Sequence, residues 1–108
     1  MEAHPPWLSE AHRLAILCFR RGELEQAETY LHEALTLAPG NPDLLHFLSA
    51  ICLESNRVYR AREASRQVLG LRPDWAPAHN NLANLYLLTG EFETALEHYA
   101  EAVRLVPP

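Results

Sequence analysis

A chain of 108 residues is long enough for one domain, burying about two thirds of the surface its unfolded form exposes, so a core can form without disulfide or metal staples. Apolar residues make up 48% and charged residues 21%, interleaved throughout, and no apolar run approaches the roughly 20 residues of a membrane span, which excludes disordered, fibrous and membrane-spanning classes. The net charge of −5 repels polyanions, and Met1 to Trp7 has neither a basic segment nor the apolar stretch of a targeting signal, so the expected location is cytoplasmic.

Residues 1–7 read as the end of a preceding repeat, because Pro5 and Trp7 align with Pro73 and Trp75. From residue 8 the chain repeats itself. A shift of 34 residues aligns Leu14 with Leu48 and Leu82, Ala27 with Ala61 and Ala95, Leu37 with Leu71 and Leu105, and Pro39 with Pro73 and Pro107, without a gap. The units are thus 8–41, 42–75 and 76–108, with no capping helix after the third. In each unit apolar residues recur at helical spacing in two blocks, as at Leu82, Leu85, Tyr86 and Leu88, then Phe92, Leu96, Tyr99 and Val103. That spacing predicts helices near 9–21, 24–37, 42–55, 58–71, 76–89 and 92–105. Gly22, Asn56 and Gly90 end the first helix of each pair, being residues that tolerate a left-handed backbone. Asn41-Pro42 and Asp74 are expected to cap the helices that follow them, and Asp43 to do so as well.

Ala15, Ser49 and Ala83 on the first helices, and Ala27, Ala61 and Ala95 on the second, are small at equivalent places, which lets paired helices approach closely. Unit three carries Leu82, Ala83, Tyr86, Gly90, Ala95, Tyr99, Ala102 and Pro107 at fixed spacing. This pattern, present in three in-phase copies over residues 8–108, resembles the tetratricopeptide repeat (TPR) family. The resemblance implies an all-α fold: a right-handed superhelical solenoid of three helix-turn-helix repeats, six helices in all. Cys18 and Cys52 depart from the pattern where Tyr86 stands in unit three. So do Ser65, at the bulky slot of Leu31 and Tyr99, and Val68, in place of a small Ala, and unit two is expected to pack more softly for it.

Nothing in the sequence reads as catalytic or metal-binding. There is no Gly-rich phosphate loop and no nucleophile elbow, and the six His residues form no ligand pair at i, i+4 on one helix. We therefore expect no enzyme activity, no cofactor and no metal. Cys18 and Cys52, one period apart on neighbouring helices whose axes lie about 8–10 Å from each other, are expected as two buried, reduced thiols. Arg57, Arg60, Arg62 and Arg66 form the only basic cluster. The second helices alternate in sign, with Glu23, Glu25, Glu28 and Glu33 before that cluster and Glu91, Glu93, Glu97 and Glu101 after it. Such alternation suits a solvated face that holds neighbouring repeats in register, not a nucleic-acid stripe.

Stacked helix pairs curve, and the first helix of each lines the concave side where such solenoids bind. By the family's pattern that wall holds Ser9, His12, Arg13, Ile16 and Arg20, then Asp43, His46, Phe47, Ala50 and Glu54, then Asn80, Asn81, Asn84 and Leu88. His12 and His46 are equivalent residues expected on the same wall. Asn81 matches the groove asparagine of O-GlcNAc-transferase-like bacterial TPR arrays, although Arg13 and Phe47 replace it in units one and two. The family's clamp for chaperone C-terminal carboxylates finds His12, Ile16, Phe47, Pro77 and Asn81 at its positions, which speaks against that ligand. The implied function is a protein-interaction scaffold that takes an extended peptide or partner segment in the groove, with no nucleic-acid or membrane partner. The alternative is a structural, oligomerising or substrate-positioning segment of a larger enzyme, such as a bacterial glycosyltransferase or sulfotransferase. The uncapped face of residues 92–105 is expected to drive self-association.

Overall fold

The computed structural model describes residues 6–106, with side chains from Glu10 onward. Its elements are α1 (Pro6–Arg20), α2 (Leu24–Leu37), α3 (Pro42–Glu54), α4 (Val58–Leu71), α5 (Ala76–Leu88) and α6 (Phe92–Leu105). Five of them match the expected spans to within a residue. The exception is α1, which begins at Pro6 instead of near residue 9, with proline at the first helical position, where its missing N–H costs nothing. Of the expected leader, residues 1–5 lie outside the described residues, as do Pro107 and the side chain of Ser9.

The three turns within the helix pairs share one geometry. Gly22 and Gly90 both have φ +78°, and Asn56 has φ +62°, so each sits in the left-handed region. The residue after it reaches back in the same way each time: the Glu23, Arg57 and Glu91 amides donate to the carbonyls of Cys18, Cys52 and Tyr86 at 2.8, 2.8 and 2.9 Å. A Cβ on Gly22 or Gly90 would meet nothing within 4 Å, so backbone conformation, not space, selects glycine there.

Caps are less uniform than the sequence implies. The Asn41 side chain accepts the Leu44 amide at 3.2 Å and starts α3 as expected. Asp43 lies inside the first turn, where a carboxylate suits the helix dipole, but it is not the cap. Asp74 does not cap α5 either. The N-cap there is Trp75, with no side-chain cap hydrogen bond, and Pro77, three residues past Asp74, has no N–H to offer its carboxylate.

The helices pack as three antiparallel pairs, α1 on α2, α3 on α4 and α5 on α6, with α2 against α3 and α4 against α5 joining them. Small residues make the close approaches: Ala15, Ser49, Ala83, Ala27, Ala61 and Ala95 are all buried. The result is a slab of 41 × 34 × 22 Å, whose radius of gyration of 14.4 Å exceeds the roughly 13 Å of a compact chain of this length. Unit two does not pack loosely around its serine. Ser65 and Ser49 are both buried, their hydroxyls lie 2.7 Å apart, and Ser49 also donates to the Ala61 carbonyl at 3.1 Å. A hydrogen-bonded pair thus occupies the place of a bulky side chain, and among the described residues no buried side-chain nitrogen or oxygen lacks a partner.

Charges join the repeats as the alternation implies. Arg57 binds Glu28, with Arg60 3.6 Å from the same carboxylate, and Arg62 donates to Glu91 at 3.0 Å. Both junctions link residues 29 apart with the signs reversed, so a slip of one repeat against the next would oppose like charges.

Two stability measurements follow from this packing. Ala95→Leu should cost about 1–3 kcal/mol through overpacking against α5, read from denaturant unfolding, and parental stability would show that the helix register is wrong. Ser49→Ala should cost about 1–2 kcal/mol by stranding the Ser65 hydroxyl, and Ser65→Ala less, about 0.5–1 kcal/mol, because Ser49 keeps its bond to the Ala61 carbonyl. The double variant should then cost less than their sum, whereas strict additivity would mean that the two hydroxyls do not interact.

Candidate functional site

The first helices α1, α3 and α5 meet through a repeated contact on one side. His12 of α1 lies against Phe47 of α3, ring centroids 6.0 Å apart, and His46 of α3 accepts a long hydrogen bond from the Asn81 amide of α5 at 3.4 Å. In the 34-residue repeat, His12, His46 and Asn80 are equivalent, and so are Arg13, Phe47 and Asn81. Each rung therefore joins one position of a repeat to the next position of its neighbour. Two residues that sequence reasoning did not place on this wall complete the rungs. Phe19 meets Phe47 edge-on at 5.4 Å, and Trp75 packs on His46 at 4.9 Å, with the Arg72 guanidinium 4.8 Å from its ring. The only signal for them was aromatic identity at a helix end and just ahead of a helix. Burial lowers the pKa of His46, with Asp43 pulling weakly the other way, so its ring is neutral near pH 7 and can accept from Asn81.

The asparagines do not act as one group. Asn81 faces α3, whereas Asn84 faces α6, its side-chain oxygen accepting the Tyr99 hydroxyl and its amide remaining available as a donor. Asn80 is exposed and shares an apolar groove at the α5–α6 end with Tyr99, Ala102, Val103 and Val106. Spacing of four residues puts Asn80 and Asn84 on one helix face and Asn81 on another. Elsewhere on the expected wall, Ile16 and Ala50 are half-buried and Leu88 is exposed. Arg13 pairs with Glu10 at 3.3 Å, and Arg20 closes the last turn of α1.

The basic cluster is engaged within the fold. Besides the ion pairs of Arg57, Arg60 and Arg62, Arg62 stacks 4.3 Å from the centre of the Tyr86 ring and Arg66 donates to the Tyr86 hydroxyl at 2.6 Å. Burial pushes the Tyr86 phenol up, but Arg66 and Arg62 together outweigh it and hold its pKa below the usual value. Cys52 is buried and free, and desolvation raises its thiol. Cys18 is only half-buried, contrary to expectation.

A histidine pair escaped the sequence reading because its members are 19 residues apart on different helices. His79 donates from Nε2 to the Pro73 carbonyl at 2.8 Å, which leaves its Nδ1 to accept the Nδ1–H of His98 at 3.1 Å. His98 also stacks on Tyr86 at 5.7 Å. Among the described residues no group of three or more His, Cys, Asp or Glu side chains could hold a metal, and no helix is long and apolar enough to cross a membrane.

A solenoid of helix pairs with a wall of first helices defines a class of repeat scaffold. The family description Tetratricopeptide repeat matches residues 19–74 and again 76–107, and the chain belongs to that family. It is 30% identical over 89 residues to the TPR repeat-containing thioredoxin TTL4 of Arabidopsis thaliana, and 29% identical to the inactive TPR repeat-containing thioredoxin TTL3 of the same plant. Each match covers 82% of this chain and 13% of the relative, so the chain spans about an eighth of either protein. Among solved structures, the Sgt2 TPR domain of Aspergillus fumigatus superimposes with a TM-score of 0.87 at 21% identity, over 95% of this chain and 68% of that one. A MamA segment from Desulfovibrio magneticus gives 0.86 at 18% identity, over 94% and 58%. These likenesses show the fold, and with the family they identify a protein-interaction scaffold.

The histidine pair predicts a pH dependence. Burial, then the neighbouring His79, lowers the pKa of His98 in the folded state below the ordinary imidazole value of 6.5, with Arg66 adding to the shift and Glu97 and Glu101 opposing it. The unfolded chain therefore takes up a proton first as pH falls, so stability is full above about 6.5 and is lost progressively toward the folded-state value. Thermal melts between pH 7.5 and 5.5 should show this decline, and His98→Gln should flatten it. An unchanged slope in that variant would remove His98 from the account.

Proposed function

We propose that the wall of α1, α3 and α5 binds an extended segment of a partner protein. The observation that carries this reading is the rung repeated from α1 to α3 and from α3 to α5, which sets half-buried aromatic and amide groups along one wall at a fixed interval. Asn81 and the free amide of Asn84 are suited to a peptide backbone, because a side-chain amide donates and accepts without reading sequence. Phe47, with His12 beside it, offers an apolar contact, and Arg13 or Arg20 faces an acidic group. Engagement of the Arg cluster by Glu28, Glu91 and Tyr86 supports a protein over a nucleic acid as the partner. Nothing in this reading calls for catalysis by the chain itself.

A second reading treats the chain as a positioning segment of a larger enzyme. It is supported by the relatives, in which the matching stretch is 13% of a protein named as a thioredoxin. A contact role for α6 toward a further copy is a separate part of the proposal, supported by the exposure of Phe92, Leu96 and Val103.

Selection of linear peptides from a random library on the isolated chain separates these readings. The groove reading expects binders whose photo-crosslinks fall on α1, α3 and α5, and whose affinity drops about fivefold or more in Asn81→Ala with Asn84→Ala. The helical signal of that variant should be retained. Crosslinks confined to α2, α4 and α6, or affinity untouched by the double variant, would refute it.

A further inference from the structure

We propose that the second rung of the wall is a proton-operated selector: His46, by taking up a proton at Nδ1, turns over the side-chain amide of Asn81 and changes the hydrogen-bonding character that the wall presents to a bound segment. The inference rests on the reading of α1, α3 and α5 as a binding wall, and adds how one of its positions is set. It starts from a constraint on the amide. Asn81 donates from Nδ2 to His46 Nδ1 at 3.4 Å, so its nitrogen is turned toward α3. Its carbonyl oxygen is left for a partner, with a single N–H beside it. In this state the position takes a hydrogen-bond donor, such as a backbone N–H of an extended peptide.

A proton from solvent on Nδ1 reverses the roles. An imidazolium carries an N–H on both ring nitrogens and accepts nothing, so the Asn81 N–H that pointed at it would meet another N–H. A half-turn of the amide about its Cβ–Cγ bond removes the conflict. It sets Oδ1 against the imidazolium as the acceptor of a charge-assisted bond, and leaves both amide N–H groups away from His46. The wall then offers donors where it offered an acceptor, and favours a carbonyl or carboxylate of the partner. Both side chains are half-buried, so the proton has access and the turned amide still reaches the groove.

The surroundings of His46 let its charged form stay in place. Trp75 packs on it with ring centroids 4.9 Å apart and offers a face that attracts a cation. Burial holds the pKa of His46 below the ordinary imidazole value of 6.5, while Asp43, exposed and three residues earlier on α3, draws the proton in, so the change falls on the acid side of that value. From α5 the facing group is Asn81, and from the turn before it Trp75, with the Arg72 guanidinium 4.8 Å from its ring. The first rung has no such device. Its equivalent histidine, His12, faces the Phe47 ring, which holds no hydrogen bond to reverse.

NMR of the isotope-labelled chain, joined to a binding titration, tests the proposal. Between pH 7.5 and about 5.0 the Asn81 side-chain amide signals should shift with the same midpoint as the His46 ring. In His46→Asn, whose side-chain oxygen can accept in place of Nδ1 without titrating, they should stay still. Peptides selected at pH 7.5 that crosslink to α1, α3 and α5 should lose about tenfold in affinity by about pH 5.0 on the native chain, and about threefold or less on His46→Asn. The quantity compared is the ratio between the two pH values within each protein, so whatever the substitution itself costs does not enter. Any contribution of His98 to folding is common to both chains, and the helical signal at each pH checks that both remain folded. Asn81 signals that ignore the His46 titration, or equal affinity ratios in the two chains, would overturn the selector while leaving the wall as a binding site. Crosslinks that fall off the wall would overturn both.

Discussion

A single helix pair in this chain buries its inner face against its own partner helix but depends on a neighbouring pair to cover the outer one. Stacking of each first helix on the second helix before it is the constraint from which the other features follow. It explains why Ile51 and Leu85 vanish from the surface while Leu17 does not. It also explains where the charges lie. The Glu28–Arg57 and Arg62–Glu91 links span the two inner junctions with opposite sign, and individually such pairs contribute about 0–1 kcal/mol. Their value is in register: apolar stacking alone would tolerate a slip that these pairs would turn into repulsion.

The same stacking makes the wall of first helices. Because every first helix is displaced from the last by one repeat, a contact between consecutive positions of neighbouring repeats recurs as a ladder, here His12 on Phe47 and His46 on Asn81. The fold supplies the spacing, and the residues on each rung supply the chemistry. A rung of imidazole and phenyl is followed by one of imidazole and amide flanked by Trp75, so the wall changes from apolar to polar along its length. That gradient, rather than a run of identical rungs, is what a partner segment would meet.

Much of this was legible in the sequence because a repeat states its own register. The 34-residue period located six helices to within a residue or so, with α1 the exception, and the left-handed turns at Gly22, Asn56 and Gly90 could be read from residue type alone. Features that depend on two distant side chains finding each other were not legible. The Ser49–Ser65 pair turned an expected weakness into a satisfied contact, and His79 with His98 joined residues that no local spacing connects. Asp74 misled for a different reason, since the helix starts one residue later than its position implies, with Trp75 at the N-cap and a proline at the third residue past the carboxylate. The candidate wall was only partly visible: the structure brings His12 to Phe47 and His46 to Asn81, but the turning of Asn84 toward Tyr99 was not legible.

If nearest-neighbour stacking governs the molecule, stability should be graded from the middle outward instead of uniform. Native-state hydrogen exchange on the dilute, monomeric chain measures this directly. The account predicts that amides in α3, α4 and the buried face of α5 exchange most slowly, through the opening of the whole array, while α1 and α6 exchange first by local unfolding of the end pairs. Equal protection free energies in all six helices would contradict it, because they would mean that the chain unfolds as one indivisible core in which the outer faces of α1 and α6 lack nothing.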